Sequence, residues 1–347
     1  DLGRDRAPAR GLRRMGGGAR PDTVPRGLRL PLWLLDPALR LFVKVPLGRV
    51  QTPRRLRARF EAHARRSFTA PEGARFAEDA ATRPDGSAMR LVWAEMEGAD
   101  PGHVLLYLHG GAYLAGSPET HRHLAAALAG AAGTRAVLPD YRLAPEHPFP
   151  AALQDAETAF RALLDRGTPP GHIAVAGDSA GGGLAAALLL RLQAAGLARP
   201  AALALFSPWA DMTGESPSLE NNARRDAMLP VARMREVIDH YLQGHDPADP
   251  LASPARGTYR GAPPTLILAS RAEILADDAT RLAGALGAGG AEVRLEHWER
   301  MPHAWPVFTG RLEAADRAVA EAGAFLARHL GAAGEETGDA PPLGGAH

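Results

Sequence analysis

The run "HIAVAGDSAGGG" at residues 172–183 ends an apolar stretch on a serine, Ser179, with Gly177 two residues before it and Gly181 two after. The residues before it have strand character, and those after it, "GGGLAAALLLRLQAAG", have helix character. A serine on such a strand-to-helix turn projects its Oγ at the head of the helix. Free N–H groups and the helix dipole there favour developing negative charge. Glycines on either side leave room for neighbouring backbone to approach closely. A serine so placed needs only a base to act as a nucleophile.

Two further elements complete that chemistry. "YLHGGAYLAGS" follows the strand-like run "HVLLYL" well ahead of the serine. The backbone N–H groups of Gly110 and Gly111, with that of Ala180, are expected to converge on one oxygen as an oxyanion hole. The base comes from thirteen histidines. His303, in "ERMPHAWPVF", lies on a Pro-flanked loop just past the strand-like "EVRLEHW", late in the chain. His297 sits inside the strand pattern and reads as a packing residue. His121 and His123 are two apart, so they face different sides of a helix and make a poor metal pair. The orienting acid should follow "PTLILAS", where Glu273 is the first carboxylate. Asp277 and Asp278 read as residues opening the next helix, where the dipole favours them in any case. The choice between Glu273 and Asp277 stays open at this point. The order nucleophile, acid, base is that of an α/β-hydrolase.

The elements that must hold these groups are legible as alternation. Short apolar runs occur at "AMRLVWAE", "HVLLYLHG", "TRAVLPDY", "HIAVAGDS", "ALALFSPW", "PTLILASR" and "AEVRLEHW". Near-continuous apolar runs of this length suit strands buried on both faces. Ala/Leu-rich helical stretches separate them at 120–132, 150–166, 181–196, 277–288 and 312–330. The pattern predicts an α/β fold with a mostly parallel central sheet flanked by helices, its functional loops at the carboxyl ends of the strands. Residues 208–262 form a long excursion between two core strands, where a cap element would sit. Trp209, Met212, Met228 and Leu229 on it are candidates to line a pocket.

The chain has no cysteine, which excludes disulfides, thiolate metal sites and a cysteine nucleophile. Its formal net charge is +1, yet residues 1–60 hold fifteen Lys/Arg against four Asp/Glu. A basic arm of this kind suits nucleic acid or an acidic surface. Residues 1–28, rich in Gly, Pro and Arg, read instead as a disordered extension, and 332–347 as a disordered tail. The stretch "LRLPLWLLDPALRLFVKVP" is interrupted by Asp36, Pro37, Arg40 and Lys44, so it predicts an amphipathic helix and no stable membrane insertion.

Together "HGGAY", "DYRLAPEHPFPAALQDA", "GDSAGG", "PPTLILAS…EILADD" and "MPHAW" resemble the bacterial hormone-sensitive-lipase-like esterases of the GDSAG subgroup, over about residues 70–330. The resemblance implies an α/β-hydrolase fold with a Ser179–Glu273–His303 triad and oxyanion donors Gly110, Gly111 and Ala180. It also implies a helical N-terminal cap over 29–75 and a catalytic domain over 76–331. Two positions depart from the usual pattern: Glu273 stands where many relatives have Asp, and Ala112 replaces the third glycine of HGGG. Asp140, Arg142 and Glu146 are expected to support the site through hydrogen bonds. The implied activity is hydrolysis of short-chain acyl esters through an acyl-enzyme, with no metal or organic cofactor; lactones and acetylated natural products are close alternatives. A non-catalytic receptor on the same fold is a further alternative, but such proteins lose part of the triad. The expected partner is a small-molecule ester, without nucleic acid. A homodimer through the edge strand at 292–298 and the last helix, and a cytoplasmic location, complete the expectation.

Overall fold

Along the central strands, consecutive side chains point to opposite faces of a sheet, and both faces are covered. The computed structural model describes residues 31–49 and 52–335. Its eight strands are β1 Arg75–Thr82, β2 Ala88–Glu95, β3 Asp100–Leu108, β4 Thr134–Pro139, β5 Ile173–Asp178, β6 Ala202–Phe206, β7 Thr265–Ser270 and β8 Val293–Trp298. They form one sheet in the order β1-β2-β4-β3-β5-β6-β7-β8. β2 runs antiparallel to both neighbours, and every pair from β4 to β8 is parallel. In β3, Val104, Leu106 and Leu108 enter one core while Leu105 and Tyr107 enter the other. In β6, Leu203 and Leu205 oppose Ala202, Ala204 and Phe206 in the same way. Burial on both sides is why these strands read as unbroken apolar runs.

The helices are α1 Leu32–Leu39, a π-helical turn at Arg40–Lys44, α2 Val45–Arg49, α3 Pro53–Ser67, α4 Pro118–Ala132, α5 Ala151–Asp165, α6 Ala180–Ala194, α7 Ser218–Asn221, α8 Met234–Leu242, α9 Ala276–Ala288 and α10 Glu313–Glu335. Side chains of α5, α6, α8 and α9 share the first core, and those of α4 and α10 share the second with Leu35 and Leu39 of α1. Seven strands match the expected runs. The eighth, β1, has no counterpart among them because it is a sheet edge with only Ala81 buried, so its sequence carries no apolar signal. The helix expected from residue 120 starts earlier because the Ser117 and Thr120 side chains form a reciprocal capping box. α10 continues through 332–335, where the sequence pattern predicts tail; residues 1–28 and 336–347 lie outside the described residues. Among the described residues no helix is long and apolar enough to cross a membrane.

The two segments expected to form a cap do meet. In the π-helical turn, Arg40 donates to the carbonyls of Arg224 (2.8 Å) and Arg225 (2.7 Å), while Nζ of Lys44 donates to those of Ala223 (2.7 Å) and Asp226 (2.6 Å). The amino-terminal helices are thereby pinned to the excursion between β6 and β7.

Candidate active site

Ser179 stands between β5 and α6 with φ +52° and ψ −122°, in the left-handed region that side chains rarely adopt. The surroundings hold it there: its N–H donates to Phe206 O (2.8 Å) and its carbonyl accepts from Trp209 N (2.9 Å). The glycines two residues to either side have a concrete cause. A Cβ on Gly181 would run into the carbonyls of Leu108 and His109, and one on Gly177 into those of Gly181 and Leu108. The turn and the end of β3 pack backbone against backbone, and only glycine permits it.

Sequence-distant groups converge on this serine. Its Oγ–H donates to Nε2 of His303 (2.8 Å), and Nδ1–H of His303 donates to Oε2 of Glu273 (2.6 Å). Glu273 is fully buried and its other oxygen accepts from Ser270 N–H (2.7 Å). The His303 loop is tied down by Ser270 Oγ–H to Met301 O (2.7 Å) and by Ala304 N–H to Ser207 Oγ (3.0 Å). Burial alone would lower the His303 pKa. The bond and charge of Glu273 outweigh that and hold it above the ordinary histidine value.

The competing residues are committed elsewhere. Asp277 accepts from Ser218 N–H (2.7 Å), fastening α7, and Asp278 accepts from Ala210 N–H, Asp211 N–H and Ser216 Oγ–H. Burial pushes the Asp278 carboxyl up to about 7. His297 lies 3.4 Å from Thr280 Oγ1 on the outer strand. His123 stacks on Phe68 and bonds Val307 O (2.8 Å); its pKa is lowered to about 4 by burial. Among the described residues no His/Asp/Glu cluster suits a metal ion.

One expected donor is otherwise engaged. Gly110 N–H donates to Oδ1 of Asp178 (3.0 Å) inside the protein, which removes it from the oxyanion set read from the sequence. The next two residues, Gly111 and Ala112, face the cavity beside Ser179. Ala180 opens α6, where the first-turn N–H groups have no intrahelical acceptor.

Asp178 itself escaped sequence reasoning. It also accepts from Tyr107 O–H (2.8 Å) and lies 3.4 Å from His121 Nε2. Burial would raise its pKa; the His121 charge, with hydrogen bonds from His121 and Tyr107, lowers it instead. The available signal was a carboxylate ending a strand buried on both faces, which must find partners. Asn222 and Asp226 were missed as well. Asn222 Nδ2 donates to the carbonyls of Glu273 (2.8 Å) and Arg271 (3.0 Å), and Asp226 Oδ2 accepts from Ile274 N–H (3.0 Å). Of the "DYRLAPE" residues, Arg142 pairs with Asp155 (2.8 Å), Asp140 with Arg90 (3.2 Å) and Glu146 with Arg57, which also donates to Leu114 O (2.7 Å). It is Tyr141 between them that reaches the glycine loop, donating to His109 O (2.7 Å).

Two cavities meet at Ser179. One is lined by Leu56, Trp209, Leu229, Val237 and Leu275; the other by Phe42, Phe60, Met228, His303, Val307 and Phe308. Trp209, Met228 and Leu229 thus line cavities as expected, while Met212 is packed in the core. Leu47 of α2 and Leu56 of α3 border both.

A family model described as alpha/beta hydrolase fold matches residues 105–307. An esterase of the bacterial hormone-sensitive lipase family superposes with TM-score 0.80 at 36% identity, covering 86% of this chain and 98% of that one. The chain belongs to the hormone-sensitive-lipase-like esterases of the alpha/beta-hydrolase fold. An acetyl-hydrolase of Streptomyces hygroscopicus is 48% identical over 225 residues, 65% of this chain and 75% of that protein. An esterase of Acinetobacter venetianus is 36% identical over 223 residues, 64% of this chain and 74% of that protein. A structure of EstE5 soaked with p-nitrophenyl butyrate has TM-score 0.81 and 36% identity, covering 86% of this chain and 98% of that one. The expectation of an ester-cleaving enzyme on this fold is borne out at family level.

Proposed function

We propose that this esterase hydrolyses short-chain acyl esters of small molecules through Ser179, His303 and Glu273. The observation that carries the reading is the pair of hydrogen bonds at His303, one to Ser179 Oγ and one to Glu273. His303 takes the Ser179 proton as Oγ attacks the ester carbonyl, and Glu273 fixes the imidazole tautomer and stabilises the imidazolium. The N–H groups of Gly111, Ala112 and Ala180 receive the oxyanion of the tetrahedral intermediate. His303 then protonates the leaving alcohol, the acyl group stays on Ser179, and water repeats the sequence to release the acid.

The direction of proton return assigns the cavities. The alcohol departs on the His303 side, so the cavity lined by Phe60, Met228 and Val307 takes the alcohol. The cavity against Trp209, Val237 and Leu275 then takes the acyl chain. It is the smaller of the two, which supports acyl groups at the short end of the range, acetyl included. The acetyl-hydrolase name carried by the Streptomyces relative favours acetylated compounds among these. The reading places the enzyme in the cytoplasm, acting on a small molecule without nucleic acid. Initial rates on p-nitrophenyl esters from two to twelve acyl carbons test it. A maximum at two to four carbons is expected, shifting to longer chains in Trp209→Ala. A maximum at eight or more carbons would overturn the short-chain assignment.

A further inference from the structure

Among the described residues, the large apolar side chains left exposed all fall on one stretch: Trp33 (73% exposed), Leu34 (44%), Leu41 (60%), Phe42 (70%) and Val45 (41%). The same stretch buries Leu35 and Leu39 beneath, so it is a helical element apolar on its outer face as well as its inner one. Scattered exposed leucines are ordinary, but five large side chains on thirteen residues form a patch. The patch is continuous with the site, because Phe42 also lines the cavity that holds Ser179 and His303.

Charge identifies the occupant. Arg40 and Lys44 turn inward to the 223–226 carbonyls, and Arg40 also pairs with Asp36, the acid of this stretch (2.9 Å). Arg49, Arg54 and Arg55 are exposed on the following turns, and the sequence from 37 to 60 holds no acidic residue. A second copy of this chain would bring an equally basic segment against the first, which like-charge repulsion opposes. An anionic lipid surface complements both features at once: acyl chains for Trp33, Leu41 and Phe42, head groups for the arginines. We propose that this face docks the protein on anionic bilayers, with the mouth of the Ser179 cavity held at the lipid surface. Docking is independent of the catalytic assignment, since binding is read without turnover.

Co-sedimentation with phosphatidylcholine vesicles, with and without phosphatidylglycerol, tests this on the full-length protein. The protein should pellet with the anionic vesicles at low salt, stay in solution with neutral ones, and be released as salt rises. The double variant Trp33→Ser, Leu41→Ser lies outside both cavities and should weaken vesicle binding at least about tenfold. It should hydrolyse soluble p-nitrophenyl butyrate as the unaltered protein does, which reports that it is folded. Absence of binding to anionic vesicles would overturn the proposal. So would full binding by the double variant, which would leave the arginines alone responsible. A third contrary result is a dimer that the double variant converts to monomer without any vesicle binding, which would make a second copy the occupant.

Discussion

The carboxylate of Asp178 holds the N–H of Gly110 at 3.0 Å, so the residue just before Ser179 ties down the glycine loop. The same oxygen accepts from Tyr107 O–H, and His121 lies against the other oxygen. Loop and turn are thereby set in one frame, with Gly111 and Ala112 presented to the space over Ser179. Replacing Asp178 by Ala leaves the Gly110 N–H and the Tyr107 hydroxyl without their acceptor. We expect kcat to fall about 10²-fold with KM changed much less, because the lost alignment matters most to the oxyanion. Steady-state kinetics on p-nitrophenyl butyrate check this; a rise in KM with kcat unchanged would place the role of Asp178 in substrate binding.

The acid is distinguished from its rival by what each touches. Glu273→Gln should lower kcat by on the order of 10³ or more, whereas Asp277→Asn should show no comparable loss, since Asp277 serves Ser218. The two also differ in pH dependence. The reactive His303 is neutral, and Glu273 raises its pKa, so kcat/KM for the unaltered enzyme should begin to fall as pH drops while still above the ordinary histidine value of 6.5. Removing the carboxylate charge removes the largest raising influence and leaves burial, which lowers the pKa, against the weaker pulls of Asp226 and Asp178. The acid limb of the Glu273→Gln residual activity should therefore move to lower pH.

The glycines around the nucleophile predict stability. Gly181→Ala would set a methyl group against the carbonyls of Leu108 and His109, two backbone atoms that cannot swing aside. A loss on the order of 1–3 kcal/mol, or failure to fold, is expected from such overpacking. Gly284→Ala is the control: nothing lies within 4 Å of a Cβ there, and it sits inside α9. That substitution should stabilise slightly, because alanine is the better helix former. Denaturant midpoints of the two variants make the comparison.

Asn222 connects the cap to the acid. Its side chain donates to the carbonyls of Arg271 and Glu273, while Arg40 and Lys44 hold the carbonyls of the residues that follow it, Ala223 to Asp226. Asn222→Ala leaves two carbonyls without that donor, a cost of about 1–3 kcal/mol, and loosens the loop carrying Glu273. Thermal denaturation should show the first effect and a lowered kcat the second; Asn222→Asp, which accepts where donation is needed, should be worse than Ala.

What the sequence made legible follows from how each feature is encoded. Ser179, His303 and Glu273, which the structure brings together, sit in short punctuated segments of distinctive residue type and spacing, and strands buried on both faces announce themselves as apolar runs. The Gly110 donor was misjudged because backbone N–H groups look alike in sequence; only the position of Asp178 shows which is taken. β1 was invisible since an exposed edge needs no apolar face. Asn222 and Asp226 were invisible for a different reason, as their partners are backbone atoms about fifty residues away and no local pattern records such bonds.

Every step of the proposed reaction runs through Ser179. The most direct measurement is the rate of p-nitrophenyl butyrate hydrolysis by the unaltered enzyme and by Ser179→Ala at equal concentration, with folding of the variant checked by its denaturation midpoint. Loss of the Ser179 hydroxyl should lower kcat by on the order of 10⁴ or more. A folded Ser179→Ala protein that turns over at the unaltered rate would contradict it.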